Sequence, residues 1–487
     1  MNVPDSISLS LISHTNVGKT TLARTLLRRD IGEVRDRPHV TETADAFPLI
    51  ETAQGDVLML WDTPGFGDSA RLLKRLKQSG NPLGWFLTQV WDRHVDRPFF
   101  SSQQAIRNVR DEADVVLYLV NAGEDPASAG YVDAEMQVLG WIAKPAIVLL
   151  NQLGPPRPAA EEREDVNRWA THLAAYPWVR DTIAFDAFAR CWVLEHRLLE
   201  AIGAALPADR QSGFARLGDA WRARNRVTFE QSMRVLAQQL ATTATDAVTV
   251  PTTGLRDAAR SWLGGLLRPG ERKDAAADAA MGELAGRLDA EVRRATDQLI
   301  ELHGLSGRAA AEILQRMGAE IAVDKAADPG KASVIGAALS GALGGLAADL
   351  AAGGLTFGAG ALLGGVLGAA GARGLASAYN LARGSDATSV RWSPEFLTGR
   401  VSGAVLRYLA VAHFGRGRGD FVAGEYPPHW GPLVEQAVAR HRAALGQVWS
   451  EAHKADGTAA LESRLRAALE TIVAEVLSEL YPDSAQR

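Results

Sequence analysis

Cysteine is almost absent. Cys191 is the only one in 487 residues, so no internal disulfide can form, and no spacing of cysteines and histidines suits a metal site. That scarcity fits a reducing compartment, and a cytoplasmic protein is expected. Charge of one sign is not in surplus either. The 52 Lys and Arg against 57 Asp and Glu leave a formal net charge of -5, too acidic for a basic field that gathers nucleic acid, so nucleic acid is not an expected partner. The opening stretch MNVPDSISLSLIS has neither a basic start nor an apolar run, so no secretory signal is expected. With 47% hydrophobic and 22% charged residues, the composition is globular, and the length suits about two to four domains.

Ser6 to Ser13 alternates polar and apolar residues as a strand does, Gly18 to Arg29 reads as a helix, and Asp30 to Asp45 is a polar connection. Further strands are predicted at Ala46 to Glu51, Asp56 to Asp62, Asp114 to Val120 and Ala146 to Asn151, with helices near Gln103 to Asp111 and Asp133 to Ile142. Strands alternating with helices imply a mostly parallel sheet. After about Ala205 the strand signals stop, and Ala, Leu, Glu and Arg at helical spacing predict a mostly α-helical C-terminal region. Two apolar stripes mark its helices: Met281, Leu284, Leu288, Val292, Ala295, Leu299, Leu302, and Leu461, Leu465, Leu469, Ile472, Val476, Leu480. Short stripes suit packing within a bundle, with a helical partner or homo-oligomer as the alternative.

Chemistry concentrates near the start. Ser13-His14-Thr15-Asn16-Val17-Gly18-Lys19-Thr20 fits the phosphate-loop pattern G-x-x-x-x-G-K-[ST] everywhere but its first place, where Ser13 replaces Gly. Gly18 lets backbone N–H groups approach phosphates at a helix N-terminus, Lys19 reaches the β- and γ-phosphates, and the Thr20 hydroxyl ligates Mg²⁺. Asp62-Thr63-Pro64-Gly65 closes the apolar strand Val57 to Trp61 and puts a carboxylate beside the magnesium. The paired motifs, in order and each at a strand end, predict a nucleotide site.

On these motifs, residues 6 to 205 resemble the Era- and TrmE-type GTPases of the translation-factor class, which share Asn-x-Gly-Lys and Asp-Thr-Pro/Ala-Gly elements. The resemblance implies an α/β P-loop GTPase domain with a mostly parallel six-stranded sheet, binding GTP and GDP. By position, Thr41 matches the switch threonine that reads the γ-phosphate through magnesium, with Thr43 as a fallback. The implied catalytic set is Lys19, Thr41, Asp62 and Gly65, and the implied magnesium ligands are Thr20, Thr41 and Asp62. Ser13, His14, Thr15, Asn16, Val17, Gly18, Lys19, Thr20, Thr21, Asn151 and Gln152 would line the nucleotide. Phe66 stands where Ras-like enzymes keep a water-orienting glutamine; relatives with that change use potassium held partly by an asparagine that Asn16 matches. One departure concerns the base. Where the family has Asn-Lys-x-Asp, this chain has Asn151-Gln152-Leu153-Gly154, losing the carboxylate that pairs with guanine and leaving an ATP-preferring site as the alternative. Asp186 lies near the last base-contacting loop. Trp85, Phe86, Trp91, Phe99 and Phe100 mark a long stretch between Gly67 and Gln103 that suits either packing onto the domain or a partner.

From Val334 to Ala372 the one charged residue is Asp349, and the stretch is almost wholly Gly, Ala, Leu and Val. The pattern predicts two helices joined by a turn at Gly353-Gly354. Gly341 and Gly345, then Gly360, Gly364 and Gly368, recur four apart and let another helix approach closely. Each run falls short of the roughly 20 residues that span a bilayer. A re-entrant or peripheral hairpin meeting inner-membrane lipid or a membrane protein is expected, with a soluble helical core as the alternative. GTPase domain plus glycine-rich hairpin resembles a group of bacterial proteins that join a GTPase to a domain of unknown function. The boundaries read 1–205 for the GTPase domain, 206–330 helical, 331–378 hairpin and 379–487 helical. A switch controlling membrane contact is the first expectation. The alternatives are a ribosome- or RNA-linked assembly GTPase using Arg416 and Arg418, and a nucleotide-binding scaffold or ATPase.

Overall fold

The computed structural model describes residues 5–28, 31, 44–78, 80–89, 96–154, 157–187, 192–251, 275–305, 379–383, 387–414, 427–452 and 458–482. Thr41, Thr43, Trp91, Arg416, Arg418 and the predicted hairpin at 331–378 lie outside them. The chain divides into two units, residues 1–227 with 412–419 and 480–487, and residues 228–411 with 420–479.

In the first unit the order is β1 (Ser6–Ser13), α1 (Lys19–Leu27), β2 (Asp45–Glu51), β3 (Val57–Asp62), α2 (Ser69–Leu76), α3 (Pro82–Thr88), α4 (Arg97–Asp111), β4 (Val115–Asn121), α5 (Gly130–Ile142), β5 (Ala146–Asn151), α6 (Ala159–Leu173), β6 (Val179–Ala184) and α7 (Trp192–Ala205), followed by the start of α8 (Ala208–Thr245). The six strands form one sheet in the order β2-β3-β1-β4-β5-β6, parallel throughout except for β2, which runs antiparallel to β3. This is the α/β architecture that the alternating pattern implies. Strand β6 and helices α2, α3, α6 and α7 add to the elements read from the sequence, and α4 starts earlier, at Arg97, where Pro98 is tolerated in a first turn.

Both faces of this sheet are covered, which is why β4 is apolar end to end. Val115, Leu117 and Leu119 face one core with Leu9, Leu22, Leu58 and Trp221. Val116, Tyr118 and Val120 face the other with Ile12, Phe66, Phe86, Phe99 and Trp169. Fully burying each such aliphatic side chain contributes about 1.5–3 kcal/mol. Phe86 and Phe99 thus pack onto the domain, and Trp85 lies against the same core.

The second unit is mostly helical: the remainder of α8, then α9 (Ala275–Leu302), α10 (Pro394–Ala412), α11 (Trp430–Arg440), α12 (Arg442–Glu451) and α13 (Thr458–Leu480). Leu284, Leu288, Ala295 and Leu299 of α9 are buried, as are Leu461, Leu465, Leu469, Ile472 and Val476 of α13, so both predicted stripes are packing faces. The reading that strands end after Ala205 needs correction. Strands β7 (Ala247–Pro251), β8 (Tyr379–Arg383) and β9 (Ala387–Trp392) form an antiparallel sheet in the order β7-β9-β8. These strands are only five or six residues long. Ala247 pairs with Arg391 and Pro251 with Ala387, so the partner that makes β7 a strand is distant in sequence and leaves little local signal. No helix of the described residues is long and apolar enough to cross a membrane.

Candidate functional site

The carboxyl ends of β1 and β3 meet where the two motifs begin. Ser13 ends β1, and the loop closes on Gly18, whose φ of +97° places it in the left-handed region at the N-cap of α1. Glycine adopts that conformation without strain. A β-carbon there would also stand 2.7 Å from Asn151 Nδ2. Asn16 is left-handed as well, with φ +65°.

The loop is laced to the strand-end motif. Phe66 N donates to Ser13 O at 2.9 Å and Thr15 N to Phe66 O at 3.2 Å, while the Thr63 hydroxyl donates to the Leu11 carbonyl. A β-carbon on Gly65 would lie 2.9 Å from Lys19 Nζ and 3.1 Å from Thr15 Cα, so a side chain there would crowd the lysine and the phosphate loop. The side chain of Phe66 is fully buried in the core.

Lys19, Thr20 and Asp62 converge. Lys19 is buried and donates from Nζ to Ser13 Oγ at 3.1 Å, so the residue that departs from the loop pattern becomes an acceptor for its lysine. Burial pushes the Lys19 ammonium down, against the pull of Asp62 and Glu135. Thr20 Oγ1 donates to Asp62 Oδ2 at 2.6 Å. Burial raises the Asp62 carboxyl to about 6, opposed by the Thr20 hydrogen bond and by Lys19. Asp62 Oδ1 is buried with no hydrogen-bond partner. A buried carboxylate oxygen left unpaired beside a hydroxyl is the donor set of a hard divalent cation such as Mg²⁺, so the residues fit that ion.

At the other end of the site, Asn151 is wholly buried. Its Nδ2 donates to Val17 O at 2.6 Å, and its Oδ1 accepts from Ala187 N at 2.8 Å. Gln152, with φ +58°, donates from Nε2 to Asn16 O at 3.3 Å. Thr21 is buried in α1, and Thr25 donates to Ala187 O at 3.0 Å. Asp186, also buried, accepts from Leu153 N at 2.7 Å. The structure therefore brings the predicted site residues together along the strand ends, Thr41 lying outside the described residues.

Sequence reasoning missed a second layer. Glu135 of α5 is fully buried and accepts from Tyr118 OH at 2.7 Å and from the Ser69 hydroxyl at 2.5 Å, with His14 Nδ1 at 2.7 Å. His14 stacks on Tyr131, ring centroids 4.5 Å apart. One carboxylate thus joins the phosphate loop to the first residue of α2. The available signal was an acid amid the buried Val132, Met136 and Leu139 of a helix. Asp45 was also unmarked; it sits opposite Asp62 in the β2–β3 register.

Residues 179–478 match the family described as Domain of unknown function (DUF3482). The chain belongs to this family. In this member, residues 8–152 match the family described as 50S ribosome-binding GTPase. The N-terminal domain is accordingly a P-loop GTPase domain, an enzyme domain of the nucleoside triphosphate hydrolase class, joined to the helix-rich domain of unknown function. No protein of curated function matches the chain.

Among solved structures, the chain is similar to an Era variant of Aquifex aeolicus bound to GDP.AlF4-, at 17% identity and TM-score 0.31, over 42% of this chain and 57% of that one. Era in complex with MgGDPNP and nucleotides of 16S ribosomal RNA gives 16%, 0.31, 42% and 58%. Toc33 of Arabidopsis thaliana gives 14%, 0.24, 38% and 73%. The chain thus spans less than two thirds of the length of the Era chains that it matches.

Proposed function

We propose that this chain is a GTP-binding and GTP-hydrolysing switch of the Era- and TrmE-like kind, its nucleotide state setting the state of the helix-rich domain. The observation that carries the reading is the convergence of Lys19, Thr20 and Asp62 at one strand end. Lys19 neutralises developing charge on the β- and γ-phosphates, and backbone N–H groups after Gly18 cradle them. Thr20 and Asp62 hold Mg²⁺, which supplies charge stabilisation when bound. Thr41 completes that set in the triphosphate state, and Gly65 lets the strand-end loop follow the γ-phosphate. By the family resemblance, Asn16 would help to hold a potassium ion where this chain has Phe66 instead of a water-orienting glutamine.

The test is phosphate release from GTP and from ATP by the full chain with magnesium, in potassium and in sodium, beside Lys19→Ala. GTP turnover lost in Lys19→Ala and on chelation, and raised by potassium, is the expected result. Absent turnover, or turnover of ATP alone, sinks the reading; equal rates in the two salts remove the role of Asn16 only. The output of the switch is contact of residues 334–372 with an inner-membrane surface, supported by the near absence of charge there. Liposome binding that falls in Gly364→Glu with Gly368→Glu is expected. A second reading, a ribosome-linked assembly role, is favoured by the description of the family that residues 8–152 match; cosedimentation with ribosomes but not liposomes would select it.

A further inference from the structure

Phosphoryl transfer is catalysed mostly by positioning and electrostatics, so groups that hold the strand-end loop in place count beside those that touch the phosphates. We propose that Glu135 is a positioning residue of GTP hydrolysis: through Ser69 it sets the start of α2, and with it Gly65 and Phe66, against the phosphate loop. The inference rests on the GTP reading above.

The carboxylate is itself held from three sides. Tyr118 OH of β4 donates to Oε2 at 2.7 Å, the Ser69 hydroxyl donates to Oε1 at 2.5 Å, and His14 Nδ1 lies 2.7 Å from the same Oε1. The His14 ring is steadied in turn by stacking on Tyr131 of α5, centroids 4.5 Å apart. Glu135 has no exposed surface. Burying a carboxylate is costly unless its oxygens are satisfied, and an apolar group would hold the same layers together without that cost. What the charged acceptor adds is direction, because hydrogen bonds to an ionised group are short and depend on angle.

Direction is what the packing of α2 lacks. Its Leu72 and Leu76 share a core with Val132, Met136 and Leu139 of α5, and apolar contacts are non-directional. They keep the helix on the domain without fixing where it begins. Ser69, its first residue, supplies that point. At the other end of the connection, Phe66 N donates to Ser13 O at 2.9 Å and Thr15 N to Phe66 O at 3.2 Å. His14 lies between those two loop residues and forms a parallel bridge with Phe66. Gly65 and Phe66 are therefore bracketed by the phosphate loop before them and the Glu135 anchor after them, and the two meet at His14.

The test is single-turnover GTP hydrolysis with magnesium by the full-length protein, as wild type, Ser69→Ala and Tyr118→Phe, beside equilibrium GDP affinity and a thermal melt of each. Both variants remove one hydroxyl from the same carboxylate, and only the first releases α2. Alanine in place of Ser69 leaves the helix capped, since the Asp68 side chain accepts Arg71 N at 3.0 Å. Ser69→Ala should slow hydrolysis about tenfold or more, because a small displacement of a positioned group suffices, while GDP affinity stays within about twofold. Tyr118→Phe should hydrolyse GTP within about twofold of the wild-type rate. Glu135→Gln, which keeps the shape of the side chain, is the second variant and should repeat the split seen in Ser69→Ala. Equal slowing in Ser69→Ala and Tyr118→Phe would show that Glu135 only stabilises the core. Undiminished hydrolysis in Ser69→Ala would show that α2 needs no anchor, and a parallel loss of GDP affinity would assign Ser69 to nucleotide binding. Each of these overturns the proposal and leaves the switch reading standing. A wild-type protein that does not hydrolyse GTP overturns the switch reading itself, and the proposal with it.

Discussion

Asn151 Nδ2 lies 2.6 Å from the Val17 carbonyl oxygen, so the last residue of β5 is fastened to the phosphate loop by a direct hydrogen bond. The same side chain accepts from Ala187 N, which makes it a pin through three segments.

Removing that pin should be costly. Asn151→Ala leaves the Val17 carbonyl and the Ala187 amide of a fully buried site without their partner, about 2–4 kcal/mol for the two groups. The expected outcome is a fall of about 5 °C or more in the thermal transition of the GTPase domain, with a weakened GDP affinity read by fluorescence titration. An unchanged melt would show that water satisfies both groups.

Glu135 joins His14 of the phosphate loop to Ser69 of α2 and to Tyr118 of β4. Glu135→Gln keeps the shape but removes the charge and presents a donor where three donors now point. Loss of about 1–3 kcal/mol is expected, together with faster hydrogen exchange through residues 66–76. Exchange through residues 66–76 as slow in the variant as in wild type would show that the junction does not restrain α2.

A pH prediction follows from Asp56, whose buried side chain accepts from Arg216 Nε at 2.7 Å and Nη2 at 2.8 Å, and from Asp5 N at 2.9 Å. The Arg216 guanidinium, with the Asp5 amide and Thr52 adding to it, holds this carboxyl far below the usual carboxylate range. A depressed folded-state value stabilises the fold at pH above the unfolded value of about 3.9. That contribution is lost as pH falls below it. Asp56→Asn should therefore lower the melting temperature at pH 7 and flatten its decline between about pH 5 and pH 3. Parallel wild-type and variant curves over that range would contradict the assignment.

The legibility of this protein divides by the range of the interactions involved. Sequence by itself determined the strand–loop–helix start, because the alternation of Ser6 to Ser13, the left-handed requirement at Gly18 and the chemistry of Lys19, Thr20 and Asp62 are local. It also determined the stripes of α9 and α13, which need only a period. Tertiary structure decided what depends on distant partners. Strands β7, β8 and β9 are short, and β7 joins the local β8–β9 pair through a pairing across more than a hundred residues of sequence, Val248 with Val390. Glu135 reads as one acid in a helix until the fold sets His14, Ser69 and Tyr118 around it. Asp186 meets Leu153 because β5 and β6 are neighbours in the sheet. A carboxylate's role is set by the donors that surround it, and those donors come from residues that only folding brings within hydrogen-bond distance.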